Sequence, residues 1–289
     1  GREALKRGLA LEAKLGTNPY KFGLIGSTDS HTSLATTEES NFFGKMSTME
    51  PGPERLVNVL VKTENDTIYY REAVASGLAA VWAQDNTRES LFDAMARKET
   101  YASTGPRMQI RVFAGWDYSA EDLNSEDFVQ LGYKNGVPMG GDLSGASEGQ
   151  APRLMVVAIK DPDGGNLDRL QIIKGWMDRE GNTHERVIDV ACSDARTIVE
   201  HRCDKPVGNT VDVTTATYSN TIGDASLKTL WSDPEFDANQ SAFYYVRVLE
   251  IPTPRWTTFD AVKFGVDLPD DVPASIQDRA YTSPIWYTP

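Results

Sequence analysis

The chain is short of the residues that most directly announce chemistry. Its 289 residues include two cysteines and three histidines. Two cysteines are too few for a disulfide scaffold or a structural zinc cluster, so the fold has to rest on its core. Cys192 and Cys203 fit either a disulfide in an oxidising compartment or two buried thiols, and the sequence leaves both open. No apolar stretch approaches the ~18 residues of a membrane-spanning helix. Positive charge is scarce as well: 29 Lys and Arg face 42 Asp and Glu, for a net charge of -13. That balance argues against nucleic acid as partner, because a phosphate backbone needs a basic face. A small anionic substrate, held locally by a metal or an arginine, stays within reach. There is no Gly-x-Ser-x-Gly elbow to announce a serine nucleophile, and no internal repeat. An initiator Met and a signal-peptide pattern are missing too, and Gly1-Arg-Glu-Ala-Leu-Lys-Arg7 already reads as helix. The expectation is the C-terminal portion of a longer protein, with a periplasmic, secreted or cytoplasmic location all open.

What is present describes a folded protein. Hydrophobic content of 40% and charged content of 25% are those of a globular chain long enough for two modest domains or one large core. Leu5 with Leu9, and Ala4 with Leu11 and Leu15, recur at helical spacing, and Gly16 supplies a stop. Phe22 to Ile25 predicts a short buried strand, and Gly26 to Ser33 the loop leaving its end. Residues 34 to 70 read as a polar surface excursion, a candidate lid. Leu78 to Ala83 predicts a second buried strand. Asn86-Thr-Arg-Glu89 then caps a helix carrying Leu91, Ala94 and Met95. After Thr104-Gly105-Pro106 the texture changes to short β-rich runs: Met108 to Val112, Leu154 to Ile159, Leu170 to Ile173, Val187 to Val190 and Phe243 to Leu249. Turn-formers such as Asp161-Pro-Asp-Gly-Gly165 separate them. The pattern predicts an α/β part over 1–105 and an antiparallel, sandwich-like part over 106–289.

The sharpest candidate site is Asp29 with His31. On an extended loop, residues i and i+2 project to the same side, so a carboxylate and an imidazole could reach one divalent ion. That donor pair suits zinc, manganese or iron better than calcium, with Ser27 and Thr28 available to orient the carboxylate. The competing reading is an Asx-turn with a surface histidine. His184, beside Glu185, reads as an exposed strand or turn residue. Cys192, His201 and Cys203 match no compact zinc spacing. Arg107 is either an anion clamp for substrate or an exposed arginine at a strand start. Gly140-Gly141-Asp142 reads as a turn before a phosphate cradle. Trp176, Trp231, Trp256 and Trp286 suit a sugar-stacking platform or ordinary packing equally.

Phe22-Gly-Leu-Ile-Gly-Ser-Thr-Asp-Ser-His31 resembles the last metal-ligand motif of PHP (polymerase and histidinol phosphatase) domains. The resemblance extends to a bacterial PHP-like group of unknown function, related to amidohydrolase-type hydrolases of carbamates and esters. It also rests on Trp82-Ala-Gln-Asp-Asn-Thr-Arg-Glu-Ser90, Glu99-Thr-Tyr-Ala-Ser-Thr-Gly-Pro-Arg107, Gly136-Val-Pro-Met-Gly-Gly-Asp142, Gln171-Ile-Ile-Lys-Gly-Trp176 and Ser283-Pro-Ile-Trp-Tyr287. It implies the C-terminal part of a distorted β/α barrel over 1–105, lacking its upstream His-x-His, followed by an antiparallel β-sandwich-like extension. It further implies a metal-dependent hydrolase of phosphate, carboxyl or carbamate esters, with Asp29 and His31 as ligands and Asp29 also handling the water's proton. Pro254 departs from the family, which often carries Cys before Arg-Trp. The alternative expectation is a non-catalytic module whose β-rich half binds a glycan or protein partner.

Overall fold

The computed structural model describes residues 1–34, 36–72 and 77–289. The opening helix, Arg2–Leu15, buries Leu5 and Leu9 on one side. It ends at Gly16, whose φ of 73° is a left-handed conformation that a residue without Cβ adopts freely.

Phe22 to Ile25 does not form the buried strand expected of it. The Leu24 amide donates to Ser283 Oγ at 2.9 Å and the Gly26 amide to the Leu78 carbonyl at 3.2 Å, while Ile25 lies exposed. The segment passes the start of an outermost strand, Leu78–Val81, without adding to the sheet. A four-residue apolar run is too short to declare its own partner. The excursion that follows holds the short turns Glu39–Asn41 and Ser47–Met49 and the hairpin Val59–Lys62 with Thr67–Tyr69. It is pinned down by Phe42 and Leu56 packing on Trp256, and by the buried ion pair of Arg55 with Asp260. Position 35 of this stretch lies outside the described residues.

Two antiparallel sheets dominate. In the larger, the neighbours run Thr183–Cys192, Leu167–Met177, Ala242–Glu250, Arg279–Thr282, Thr100–Ser103 and Leu78–Val81. Ile285–Tyr287 also pairs with Ala242–Glu250, and holds Asp142–Leu143 parallel to itself. The smaller sheet runs Ser226–Ser232, Arg153–Ile159, Gln109–Gly115, Gly136–Pro138. Alternation works as the sequence suggests: Ile110, Val112, Leu154 and Val156 from one sheet meet Leu170, Ile172, Val246 and Val248 from the other in one core. The outward sides are covered too. Phe243 and Tyr245 lie under Leu5 and Leu9 of the first helix, and Phe113 and Met155 under Phe128 and Leu123. Helix, sheet, sheet and helix therefore stack as layers.

The architecture is mixed α/β and β-rich, with no closed barrel among the described residues. A β/α barrel needs parallel neighbours joined by helices. Here the one parallel pairing in the described sheets is Ile285–Tyr287 with Asp142–Leu143. Residue 105, the expected domain boundary, falls after Thr100–Ser103, a strand that pairs with Arg279–Thr282 far along the chain. The helix Arg88–Ala96 is capped by Thr87, one residue later than the expected Asn86, with the Thr87 side chain accepting from the Ser90 amide. Only Ala94 of its expected apolar face is buried. Trp256 and Trp286 are buried core residues, which answers for them the choice between packing and a surface platform. Cys192 and Cys203 are joined as a disulfide, so neither is a free thiolate for a set with His201.

Candidate functional site

The loop after Gly26 is built by local hydrogen bonds. Ser27 Oγ accepts from the Asp29 amide and Thr28 Oγ1 from the Ser30 amide, each at 3.3 Å. These hydroxyls therefore shape the backbone two residues on, and do not hold the Asp29 carboxylate as expected. Asp29 itself has φ 49°, a left-handed conformation that Asp tolerates better than most side chains. The loop curls instead of extending, yet it still brings the two candidate ligands together. His31 Nδ1 lies 2.9 Å from the Asp29 carbonyl and 3.9 Å from its Oδ1. A carbonyl only accepts, so Nδ1 carries a hydrogen, and in the neutral ring Nε2 keeps its lone pair. Both side chains are more than half exposed, at 58% for Asp29 and 53% for His31. Lys45 caps Asp29 Oδ2, and this bond first of all, with the Lys45 charge adding to it, holds the Asp29 carboxyl below the usual carboxylate range. The Lys45 carbonyl also accepts from the His31 amide at 2.7 Å, which ties the two segments together.

Arg107 sits elsewhere, among acids. Its backbone amide donates to Asp161 Oδ2 at 2.6 Å, and its guanidinium reaches Asp163 at 3.1 Å, Asp161 at 3.4 Å and Glu38 at 3.9 Å. A guanidinium so surrounded faces carboxylates of the chain itself in place of a substrate anion.

Those carboxylates border a cavity of about 80 Å³ at one end of the larger sheet. The fold gathers this end from distant segments. Glu250 closes its strand, with its amide donating to the Asp278 carbonyl at 2.9 Å just ahead of the Arg279–Thr282 strand. The Asp161–Gly165 turn, Glu39 of the excursion and Phe259 of the helix Trp256–Phe264 complete the walls. The acids do not share one charge state. Burial, then the neighbouring Asp278, pushes Glu39 up to about 7. Burial pushes Asp278 up to about 6. Burial, then Asp278 and Asp161, carries Glu250 well above the usual range. Asp161 goes the other way: burial opposes its ionisation, but the amides of Arg107 and Asp163 outweigh it and hold the carboxyl low. A raised and a lowered carboxyl side by side are the raw material of acid–base chemistry.

Sequence reasoning singled out Asp29 and His31, which the loop places side by side, and did not single out this cavity. Asp161-Pro-Asp-Gly-Gly165 was legible only as a turn. Glu250 gave a usable signal, an acid closing a strand whose other residues are nearly all apolar. His184 is exposed and its Nε2 lies 2.6 Å from Asp178 Oδ2, in keeping with a surface residue. Gly140 and Gly141 form a turn, with the Gly141 amide donating to the Pro138 carbonyl at 3.0 Å.

Among the described residues, no three or more His, Cys, Asp or Glu side chains are grouped so as to hold a metal ion. No curated protein matches the chain. The family match that is found spans residues 1–289 and points neither to a PHP-like domain nor to a C-terminal piece of one, which overturns that resemblance. The chain belongs to the family described as "Protein of unknown function (DUF3604)", whose model matches residues 1–289.

Proposed function

We propose that this protein is a metal-dependent hydrolase of small phosphate, carboxyl or carbamate esters, with Asp29 and His31 as ligands of the ion. The observation that carries the reading is the orientation of His31. With Nδ1–H donating to the Asp29 carbonyl at 2.9 Å, the neutral ring takes the tautomer that leaves Nε2 bare. A ligating imidazole is commonly held this way, its second nitrogen bonded to a carbonyl or carboxylate. The Asp29 carboxylate lies beside the ring and already carries one cation, the Lys45 ammonium.

The donor chemistry fits zinc, manganese or iron. A bound divalent ion supplies a water acidified from about 15.7 toward ~7, a nucleophile at neutral pH. The chain's own part is to orient that water through the free Asp29 oxygen and to take up its proton there. Lys45 would swing from Asp29 to the substrate's developing negative charge. Two protein donors hold an ion weakly, so loading requires added metal. We read the facing sheets as an antiparallel sandwich that serves as the platform for this loop. The Cys192–Cys203 disulfide suits an oxidising compartment.

The reading is tested by assaying p-nitrophenyl phosphate, acetate and carbamate esters with the full chain, with zinc, manganese and iron supplied in turn. Metal-stimulated hydrolysis that is lost in His31→Ala and Asp29→Asn, with both variants folded, supports it. Hydrolysis indifferent to metal and to both substitutions overturns it.

A further inference from the structure

The Asp29 loop leaves unused the cavity at the end of the larger sheet. Among its acids Glu250 is 1% exposed, as is Asp161, and the buried Oε1 of Glu250 has no hydrogen-bond partner. Oε1 is directed at the Asp161–Gly165 turn that walls the cavity: a Cβ built on Gly164 would stand 3.1 Å from it. An unpartnered buried carboxylate oxygen is costly to fold, at about 1–3 kcal/mol for a neutral group and more for a charged one. Such an atom asks for a donor.

The nearby cations do not supply it. Arg107 is spent on Asp161, Asp163 and Glu38 at the rim. The Lys160 ammonium is saturated by three carbonyls, those of Asp161 at 3.0 Å, Pro162 at 3.3 Å and Gly164 at 2.7 Å. Asp278 and Glu39 add two further carboxyls to the same walls, both raised by burial, and Pro106 and Phe259 line it with apolar surface. The cavity volume, about 80 Å³, exceeds the ~10–15 Å³ that one water needs on the same measure.

We infer that this cavity binds the primary ammonium group of a small alkylamine, with one N–H donated to Glu250 Oε1 and the carbon chain against Phe259 and Pro106. A primary ammonium brings the positive charge the walls lack, and its N–H takes the place of the proton that burial otherwise keeps on Glu250. A quaternary ammonium brings the charge alone, and a neutral alcohol the donor alone. The aromatic face of Phe259 contributes attraction to a cation as well as contact with its chain. Gly164 and Gly165 are needed small, since a methyl group at 164 would intrude beside Oε1.

The test is calorimetric titration of the full chain with ethylammonium chloride at constant ionic strength, set against ethanol, tetramethylammonium chloride and magnesium chloride. The expected result is saturable binding of ethylammonium, at least tenfold tighter than any of the other three. Glu250→Gln should weaken it at least tenfold. If that variant does not fold, Gly164→Ala narrows the cavity without touching a charge, and a loss of at least fivefold is expected. The proposal is overturned by any of three results: no saturable ethylammonium binding, tetramethylammonium or magnesium binding as tightly, or affinity unchanged in a folded variant. Only magnesium binding that Glu250→Gln weakens counts as binding in this cavity, so none of these outcomes bears on Asp29 and His31.

Discussion

Replacing Asp278 by Asn should make the protein more stable at alkaline pH and hardly change it in acid. Asp278 is 3% exposed and takes a hydrogen bond from Thr104 Oγ1 at 2.7 Å. That one bond does not offset its burial, which raises the carboxyl from 3.8 to about 6. Each unit is worth about 1.36 kcal/mol, so ionising this group in the folded state costs about 3 kcal/mol. The sign follows from proton counting. Between the unfolded and folded values the folded chain holds the extra proton, so stability falls as pH climbs from about 4 to about 6 and then levels off. Glu39, raised to about 7, extends the decline to about pH 7. Asn keeps an oxygen for Thr104 but carries no charge to desolvate, and it also relieves the Asp278 charge that raises Glu39 and Glu250. Urea denaturation followed by tryptophan fluorescence at pH 4.5 and pH 8 reads both effects. The expected gain at pH 8 is about 2–3 kcal/mol, and at pH 4.5 within about 1 kcal/mol of zero. Equal destabilisation at both pH values would refute the electrostatic account and leave Asp278 as a purely structural hydrogen-bond acceptor.

Other substitutions probe the frame. Reduction, or the double change of Cys192 and Cys203 to Ser, opens a loop with a sequence separation of 11. It should cost about 2–3 kcal/mol, seen as a lower melting midpoint that a reducing agent no longer shifts in the double variant. Asp260→Ala strands Arg55, whose side chain is 4% exposed and stacks 4.3 Å above Trp256. A loss of about 3–5 kcal/mol in denaturant titration is expected, and a loss under 1 kcal/mol would show that the Phe42, Phe43 and Met49 carbonyls suffice for Arg55. Leu9→Ala, beneath the larger sheet, should cost about 2–5 kcal/mol in the same assay.

The parts of the fold that were legible in sequence are those governed by local rules. Gly16 stops the first helix because its φ must be left-handed, and Phe243 to Leu249 alternates because its two faces meet different layers. Phe22 to Ile25 misled because apolar character reports burial, and here Ser283 and the end of an edge strand take the segment without a ladder. Asp29 and His31 lie side by side although the loop is not extended as expected, because they stand only two residues apart. The left-handed turn at Asp29 was not legible, since nothing in Ser-Thr-Asp-Ser announces it. The acidic cavity was invisible for a different reason. Glu39, Asp161, Glu250 and Asp278 are separated by tens of residues or more, and only the tertiary fold, through strand pairing and the turns at one sheet end, brings them together.

The central claim is that Asp29 and His31 hold a divalent ion, and equilibrium dialysis against zinc, manganese and iron tests it most directly. The account predicts one weakly held ion per chain in the wild type and loss of that ion in both His31→Ala and Asp29→Asn, with circular dichroism unchanged because both side chains are exposed. Undiminished metal binding in the two folded variants, or no saturable binding in the wild type, would contradict it.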